Sequence, residues 1–172
     1  MPVPPRALGR RRRAHPVQLR EGLSAMIVYP AIDVLDGRVV RLAKGDFNAV
    51  TDYGGDPVAA AEAWREAGAE WVHMVDLSGA RDGARRQQDL VAAVAATGLK
   101  VQTGGGVRTE ADVEAILEAG AARAVVGSKA VSDPQAVIGW IARFGADHIA
   151  AAFDVRLEGG AVYPTLKGWT ER

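Results

Sequence analysis

The feature that most constrains this chain is a regular alternation of short apolar runs with amphipathic segments, which begins at Met26. The segments between the runs have apolar residues at the three- and four-residue spacing of helices that pack on a sheet. The runs cover residues 27–34, 71–77, 99–103, 122–127 and 148–155. Because apolar strands alternate with helices, the sequence predicts an α/β fold with a parallel sheet that is buried on both faces.

Helix boundaries are marked by capping residues. Asp56-Pro57 and Asp133-Pro134 each place an N-cap side chain before a proline at the first helical position. Thr109, with Asp112 three residues later, resembles a capping box. Two tryptophans, Trp64 and Trp140, lie on the apolar stripes of predicted helices, so we expect both in the core.

Two architectures fit this alternation, an open doubly wound sheet and a closed eight-stranded barrel. The first run leads into Val34-Leu35-Asp36-Gly37 and lacks the glycine-rich turn of dinucleotide-binding folds. Asp33 and Asp154 lie in similar contexts, Ile32-Asp33-Val34 and Phe153-Asp154-Val155, at the ends of the first and fifth runs. In a barrel these strands are opposite each other, which predicts an acid/base pair; a turn or N-cap aspartate is the alternative for each.

Charge is distributed unevenly along the 172 residues, which contain 21 basic and 21 acidic side chains and no cysteine. Residues 1–25 hold six arginines and one acid, so the remaining 147 residues have a net charge of −5. An acidic body argues against nucleic-acid binding, and no apolar stretch has the roughly 18 residues of a membrane helix. We expect residues 1–25 to be a disordered extension, with a targeting peptide or nucleic-acid tail as alternatives, and residues 26–172 to form the domain.

Glycine-rich turns follow two neighbouring runs and predict a phosphate site. Gly105 and Gly106 come before a predicted helix, and Gly127 and Ser128 end the next run. Glycines let backbone N–H groups approach an anion, although tight turns need glycine as well. The three histidines are scattered and nothing has metal-ligand spacing, so we expect neither a metal nor a cofactor. His73 lies within a strand, either facing the barrel interior or packed beneath a helix.

From Met26 onward the chain resembles the histidine-biosynthesis isomerases that act on phosphoribosylformimino-aminoimidazole-carboxamide ribotide, a family of ribulose-phosphate-binding (βα)8 TIM barrels. The matching segments are Pro30-Ala31-Ile32-Asp33-Val34, Gly37-Arg38-Val39-Val40-Arg41-Leu42, Lys44-Gly45-Asp46, His73-Met74-Val75-Asp76-Leu77, residues 102–108, Val126-Gly127-Ser128-Lys129, Asp154-Val155-Arg156 and Lys167-Gly168-Trp169. Pro30-Ala31-Ile32 favours the isomerase over the paralogous cyclase of the same pathway.

The resemblance implies an Amadori rearrangement that uses no cofactor. It implies that Asp33 is the general base and Asp154 the general acid, and we expect Asp154 to be partly buried so that it can hold a proton. One phosphate site corresponds to Gly105, Gly106, Gly127 and Ser128, with Arg108 close by, and substrate-contacting positions correspond to Lys44, His73 and Trp169.

The chain departs from the resemblance in length, because about five βα units are present where the family has eight in about 250 residues. We expect a cytoplasmic enzyme whose full-length form is monomeric and whose shorter form tends to associate through an unpaired edge. Its partner is a small bisphosphorylated ribotide, with no nucleic acid or membrane. Two alternatives stay open: a bifunctional isomerase that also accepts phosphoribosyl-anthranilate for tryptophan synthesis, and an inactive phosphate-binding half-barrel.

Overall fold

A computed structural model describes residues 26–164. The extension predicted for residues 1–25 and the substrate contact predicted for Trp169 lie outside the described residues. The strands are β1 Ala31–Leu35, β2 Arg38–Ala43, β3 Asp46–Asp52, β4 Trp71–Asp76, β5 Lys100–Gly104, β6 Arg123–Val126, β7 Ile149–Ala151, β8 Val155–Glu158 and β9 Ala161–Pro164. The helices are α1 Pro57–Glu66, α2 Leu77–Asp82, α3 Gln88–Ala95, α4 Glu110–Glu118, α5 Ser128–Ser132 and α6 Pro134–Phe144.

The strand order distinguishes the two predicted architectures. Seven strands form one sheet in the order β3-β2-β1-β4-β5-β6-β7, and β1, β4, β5, β6 and β7 are parallel neighbours. A doubly wound sheet reverses its strand order at a switch point, whereas these five parallel strands follow one another in chain order. This succession is the winding of a barrel, so the predicted partial (βα) barrel is confirmed.

Two antiparallel hairpins extend the sheet beyond β1, and the sequence interpretation missed them. Asp36 and Gly37 connect β1 to β2 with φ values of 49° and 82°. Lys44 and Gly45 connect β2 to β3 with φ values of 53° and 76°. Two consecutive residues with positive φ are the signature of a type I′ hairpin turn, for which Asp-Gly is a preferred sequence. The loop that follows the first barrel strand is therefore a folded two-strand extension.

Burial alternates along the parallel strands. On β4, Val72, Met74 and Asp76 are buried, whereas His73 and Val75 are only partly buried. Val72 and Met74 pack with residues from α1, α3, α4 and α6 in one hydrophobic cluster. We call the opposite side the inner face. The expectation that the sheet is buried on both faces is wrong for the described residues, because the helices cover one face and the residues of the other, such as His73, Gln102 and Arg123, are only partly buried.

The predicted helix starts are confirmed. Asp56 accepts from the Val58 amide at 2.9 Å and Asp133 from the Ala136 amide at 3.2 Å. A reciprocal capping box between Thr109 and the first turn of α4 is present. Trp140 is buried as predicted, but Trp64 is 44% exposed, so its placement in the core is wrong. In the described part of the chain, no helix has the length and hydropathy needed to span a membrane.

Candidate active site

The two predicted phosphate-binding segments follow neighbouring strands. Strands β5 and β6 are parallel, with Gln102 opposite Arg123 and Thr103 opposite Ala124. The glycine-rich turn continues from the end of β5, and Gly127 and Ser128 follow the end of β6. The carboxyl ends of parallel strands meet at one edge of the sheet, where barrel enzymes build their sites. The structure therefore brings the two segments to the same edge, as the sequence predicts.

The glycine-rich turn is shaped by contact with the loop after β4. Gly105 and Gly106 have φ values of 100° and 74°, in the left-handed region that favours glycine. A Cβ atom on Gly105 would overlap the carbonyl oxygen of Asp76, and one on Gly106 would lie 2.7 Å from the carbonyl oxygen of Gly79. Both glycines are thus required by the close approach of two loops, in addition to any role in binding an anion.

Asp76 organises the neighbouring loop. Its fully buried carboxylate accepts hydrogen bonds from the backbone amides of Gly79 at 2.7 Å, Arg86 at 2.8 Å and Gln87 at 3.1 Å. The first of these bonds caps helix α2. Asp76 therefore fixes the βα loop from within and does not line the mouth of the site.

Arg85 joins this loop to the glycine-rich turn. Its Nη1 donates to the carbonyl oxygen of Gly105 at 3.1 Å, while Nε and Nη2 are buried without a hydrogen-bond partner among the described residues. Burial lowers the pKa of the Arg85 guanidinium, and the carboxylates of Asp76 and Asp112 oppose that effect. Arg108, the cation predicted beside the phosphate, is exposed, and its guanidinium lies against Gly83.

Asp33 lies within β1, two residues before the strand ends, and not at the strand end that the sequence predicts. Its carboxylate forms an ion pair with Arg41 of β2, with Nη1 3.2 Å from Oδ2. Asp33 and Arg41 line a shallow pocket of about 270 Å³ with Leu42, Lys44, Gly45 and Leu77. Lys44 lines this pocket from the turn between β2 and β3. The pocket therefore combines one predicted catalytic carboxylate with one predicted substrate-binding lysine.

Asp154 follows β7, at the far side of the parallel strands from β1. It lies between β7 and β8, and its side chain is exposed. The partial burial expected for Asp154 is wrong for the described residues, because the strand ends at Ala151 and the chain leaves the sheet before Asp154. Asp33 and Asp154 therefore lie at opposite ends of the succession of parallel strands.

His73 lies on the inner face, which decides between the two placements left open by the sequence. Its register partners are Ala31 on β1 and Gln102 on β5, and Asp33 lies one step along the same face. Burial lowers the pKa of the His73 imidazole, while the charge of Asp33 acts in the opposite direction. His73 thus belongs to the polar inner face near Asp33.

Three residues near the site were missed by sequence reasoning. Arg41 pairs with Asp33, Arg85 contacts the glycine-rich turn, and Gln102 contacts His73 with Nε2 3.2 Å from Nδ1. Strand register places Gln102 on the same face as His73, whereas Asp33 is in register with Val40, so alternation along β2 gives no signal for Arg41. In the part of the chain that the structure describes, no three His, Asp or Glu side chains are grouped so that they could hold a metal ion.

Comparison with known proteins gives a consistent result. A family model described as histidine biosynthesis protein matches residues 27–172. Over 146 residues, the chain is 61% identical to a protein of Maricaulis maris and 50% identical to one of Xanthomonas campestris. Over 147 residues it is 49% identical to a protein of Klebsiella pneumoniae.

All three relatives are named 1-(5-phosphoribosyl)-5-((5-phosphoribosylamino)methylideneamino)imidazole-4-carboxamide isomerase. The matched region covers 85% of this chain for the first and 84% for the other two. The chain spans about 60% of the length of each of these relatives. Because the family model matches every residue after residue 26, this chain belongs to the histidine biosynthesis protein family.

Proposed function

We propose that this chain carries the catalytic residues of an aldose–ketose isomerase of histidine biosynthesis, which converts phosphoribosylformimino-aminoimidazole-carboxamide ribotide into its phosphoribulosyl form. The observation that carries the proposal is the placement of Asp33 within the first of five barrel-type parallel strands and of Asp154 in the segment that follows the last of them. The relatives, which are named as imidazole-carboxamide isomerases, support the choice of substrate.

In the proposed reaction the ribose ring opens to an iminium at C1′, which bears the amino nitrogen, and C2′ becomes the ketone carbon without an external oxidant. An acid protonates the ring oxygen as the C1′–O bond breaks, and a base then removes the proton from C2′. We assign the acid to Asp154 and the base to Asp33. Hydrogen returns to C1′ in the final ketose, so C1′ is reduced while C2′ is oxidised and the atoms balance.

The geometry around Asp33 suits a base. The ion pair with Arg41 holds the Asp33 carboxylate in one orientation while leaving its side chain 15% exposed. A general base must reach its proton at hydrogen-bond distance, so a fixed but accessible oxygen is required. The adjacent pocket, which Lys44 also lines, provides the space from which a sugar reaches Asp33.

The phosphate site is proposed at the shared edge of β5 and β6. Backbone amides of Gly105, Gly106 and Gly127 and the hydroxyl of Ser128 would donate to one phosphate, and Arg108 would add positive charge. Ser128 is exposed at the start of α5 and needs no rearrangement to meet an anion. We also propose substrate contacts for Lys44, His73 and Trp169, and a cytoplasmic location, for which the absence of cysteine is suitable.

Complementation tests this proposal. Expression of the chain in a histidine auxotroph that lacks the imidazole-carboxamide isomerase should restore growth without histidine, and Asp33→Asn should abolish that rescue. A soluble, folded chain that binds phosphate but never restores growth would contradict the proposed activity and favour the inactive half-barrel. Rescue of a strain lacking phosphoribosyl-anthranilate isomerase would extend the activity to the bifunctional alternative.

A further inference from the structure

A row of hydrogen-bonded side chains crosses the inner face between β4 and β6. His73 is in register with Gln102, and Gln102 is in register with Arg123. Arg123 Nη1 lies 3.0 Å from Gln102 Oε1, and Gln102 Nε2 lies 3.2 Å from His73 Nδ1. The three side chains therefore form one continuous chain of hydrogen bonds that leads from Arg123 to the imidazole.

The donor and acceptor chemistry of these groups gives the row of hydrogen bonds one direction. A guanidinium can only donate, so the Gln102 atom that faces Arg123 must be the acceptor Oε1. The other end of the Gln102 amide is then the NH2 group, which can only donate. His73 Nδ1 receives that donation and so carries no proton. In the neutral imidazole the proton must then be on Nε2.

Arg123 is held in place by several contacts, which keeps the donor and acceptor direction of the hydrogen bonds fixed. Its Nε donates to the carbonyl oxygen of Asp147 at 3.0 Å, and Nη1 also lies 3.3 Å from the hydroxyl of Tyr29. The guanidinium carbon lies 4.9 Å from the centre of the Trp71 ring, within the range of a cation–π contact. Because the guanidinium is held through Nε and against the Trp71 ring, Arg123 does not readily release the Gln102 oxygen.

We propose that Arg123 and Gln102 are positioning residues that fix His73 as the neutral tautomer with its proton on Nε2. In this state His73 is a hydrogen-bond donor near Asp33 and has no role as a base. The ligand group it suits is an oxygen acceptor, which under the proposed function is an oxygen of the ribotide. The assignment of the ligand rests on the proposed function, whereas the tautomer does not.

The surroundings of His73 are consistent with a neutral ring. Its imidazole is half-buried, and burial lowers its pKa. The charged groups that bear on it in the described residues are the Asp33 carboxylate from β1 and, through Gln102, the Arg123 guanidinium from β6. The charge of Asp33 favours protonation of the His73 ring. The hydrogen bond from Gln102 to Nδ1 opposes it, because both ring nitrogens of a charged imidazolium are donors and neither can accept.

Nitrogen-15 NMR on the labelled 172-residue chain tests the tautomer directly without substrate. Near neutral pH, one-bond and long-range nitrogen–proton correlations of His73 should show the proton on Nε2 and a bare Nδ1. A proton on Nδ1, or a charged ring at that pH, would overturn the proposal. This measurement on the unmodified chain needs no variant to fold.

Gln102→Glu supplies the matched perturbation. A carboxylate at this position can accept from Arg123 and from His73 at the same time, so His73 should move its proton to Nδ1 or become charged, with a raised pKa. Gln135→Glu, the same change at an exposed position on α6, is the control and should leave the His73 spectrum unchanged. An unchanged His73 tautomer and pKa in folded Gln102→Glu would refute the role of Gln102.

Kinetics then separates this role from the proposed activity. If the unmodified chain isomerises the ribotide, Gln102→Glu should raise KM about tenfold through loss of one hydrogen bond, with a smaller change in kcat. An unchanged KM together with a moved proton would overturn the donor role of His73 toward substrate. An inactive chain with the proton on Nε2 would refute the proposed function while upholding the tautomer.

Discussion

Replacing Gly106 with alanine should chiefly destabilise the fold, and the structure allows the size of the effect to be worked out. Gly106 has a φ of 74°, and a Cβ atom there would lie 2.7 Å from the carbonyl oxygen of Gly79, which is closer than real Cβ atoms approach. Gly98 is the matched control, because its φ is 94° and a Cβ atom would meet nothing within 4 Å. The two substitutions share the conformational cost and differ in the clash.

The left-handed conformation costs alanine roughly 1–2 kcal/mol at either position. At Gly106 the backbone of two loops must also move apart, and such overpacking adds about 1–3 kcal/mol. We therefore expect Gly98→Ala to lower the free energy of unfolding by about 1–2 kcal/mol and Gly106→Ala by about 2–5 kcal/mol. Out of a typical total of about 5–15 kcal/mol, the second loss is a large fraction.

Urea denaturation monitored by circular dichroism measures both losses. Equal losses for the two variants would refute the argument that loop packing demands glycine at position 106. A Gly106→Ala variant with unaltered stability and weakened substrate binding would show that the residue serves the anion alone. Comparing the stability of the two variants therefore shows whether substitutions in the glycine-rich turn can be used to probe phosphate binding.

The remaining predictions concern Ser128, Asp76 and His73. Ser128→Ala should weaken ribotide binding by about 10- to 150-fold, the equivalent of one charge-assisted hydrogen bond. Ser132→Ala, at the other end of α5, should leave the affinity unchanged, and calorimetric titration of both variants measures the difference. Asp76→Ala should lower the free energy of unfolding by about 3 kcal/mol or more in urea, because three amides lose their acceptor, and a loss below about 1 kcal/mol would contradict the role of Asp76. Since burial lowers the pKa of His73, the unfolded chain binds more protons, so stability should fall as the pH drops below about 6.5. Melting curves at several pH values should show a smaller fall for His73→Gln, and an equal fall would count against this assignment.

Sequence reasoning succeeded where the signal is local. The N-caps at Asp56 and Asp133 and the capping box at Thr109 are formed by residues within four positions of one another, so their chemistry is visible in the chain. The winding of the sheet was predictable from the absence of a dinucleotide turn and the repeated aspartate context. These features require no knowledge of which side chains meet across strands.

The features that were missed depend on how distant segments meet. The glycines at positions 105 and 106 resembled a phosphate loop, but their close contacts are with backbone around residues 76–79, which lie in another βα unit. Trp64 shares the helical periodicity of Trp140, yet its side of α1 is exposed, since periodicity does not say how far a stripe extends around a helix. The hairpin at Asp36-Gly37 is the exception among the missed features, because its signal is local and this pair is a favoured type I′ turn.

The identity of the inner face likewise follows from strand register. Arg123, Gln102 and His73 come from three strands, and only their pairing in the sheet places them in one row. Strands β4 and β5 each contain more than one polar residue, so the sequence of a single strand does not say which of them shares a face with Arg123. The hydrogen-bond chain is thus a property of the fold that no single segment displays.

The most direct test of the central claim is the isomerisation rate of the purified chain and of two aspartate variants. Asp33 and Asp52 each pair with an arginine of β2, at 3.2 Å and 3.3 Å, so Asp52→Asn is a control for the loss of a charge on this hairpin. We predict that Asp33→Asn lowers kcat by about 100-fold or more, because an amide cannot accept the C2′ proton, and that Asp52→Asn leaves it unchanged. Near-normal turnover of folded Asp33→Asn would contradict the assignment of Asp33 as the base.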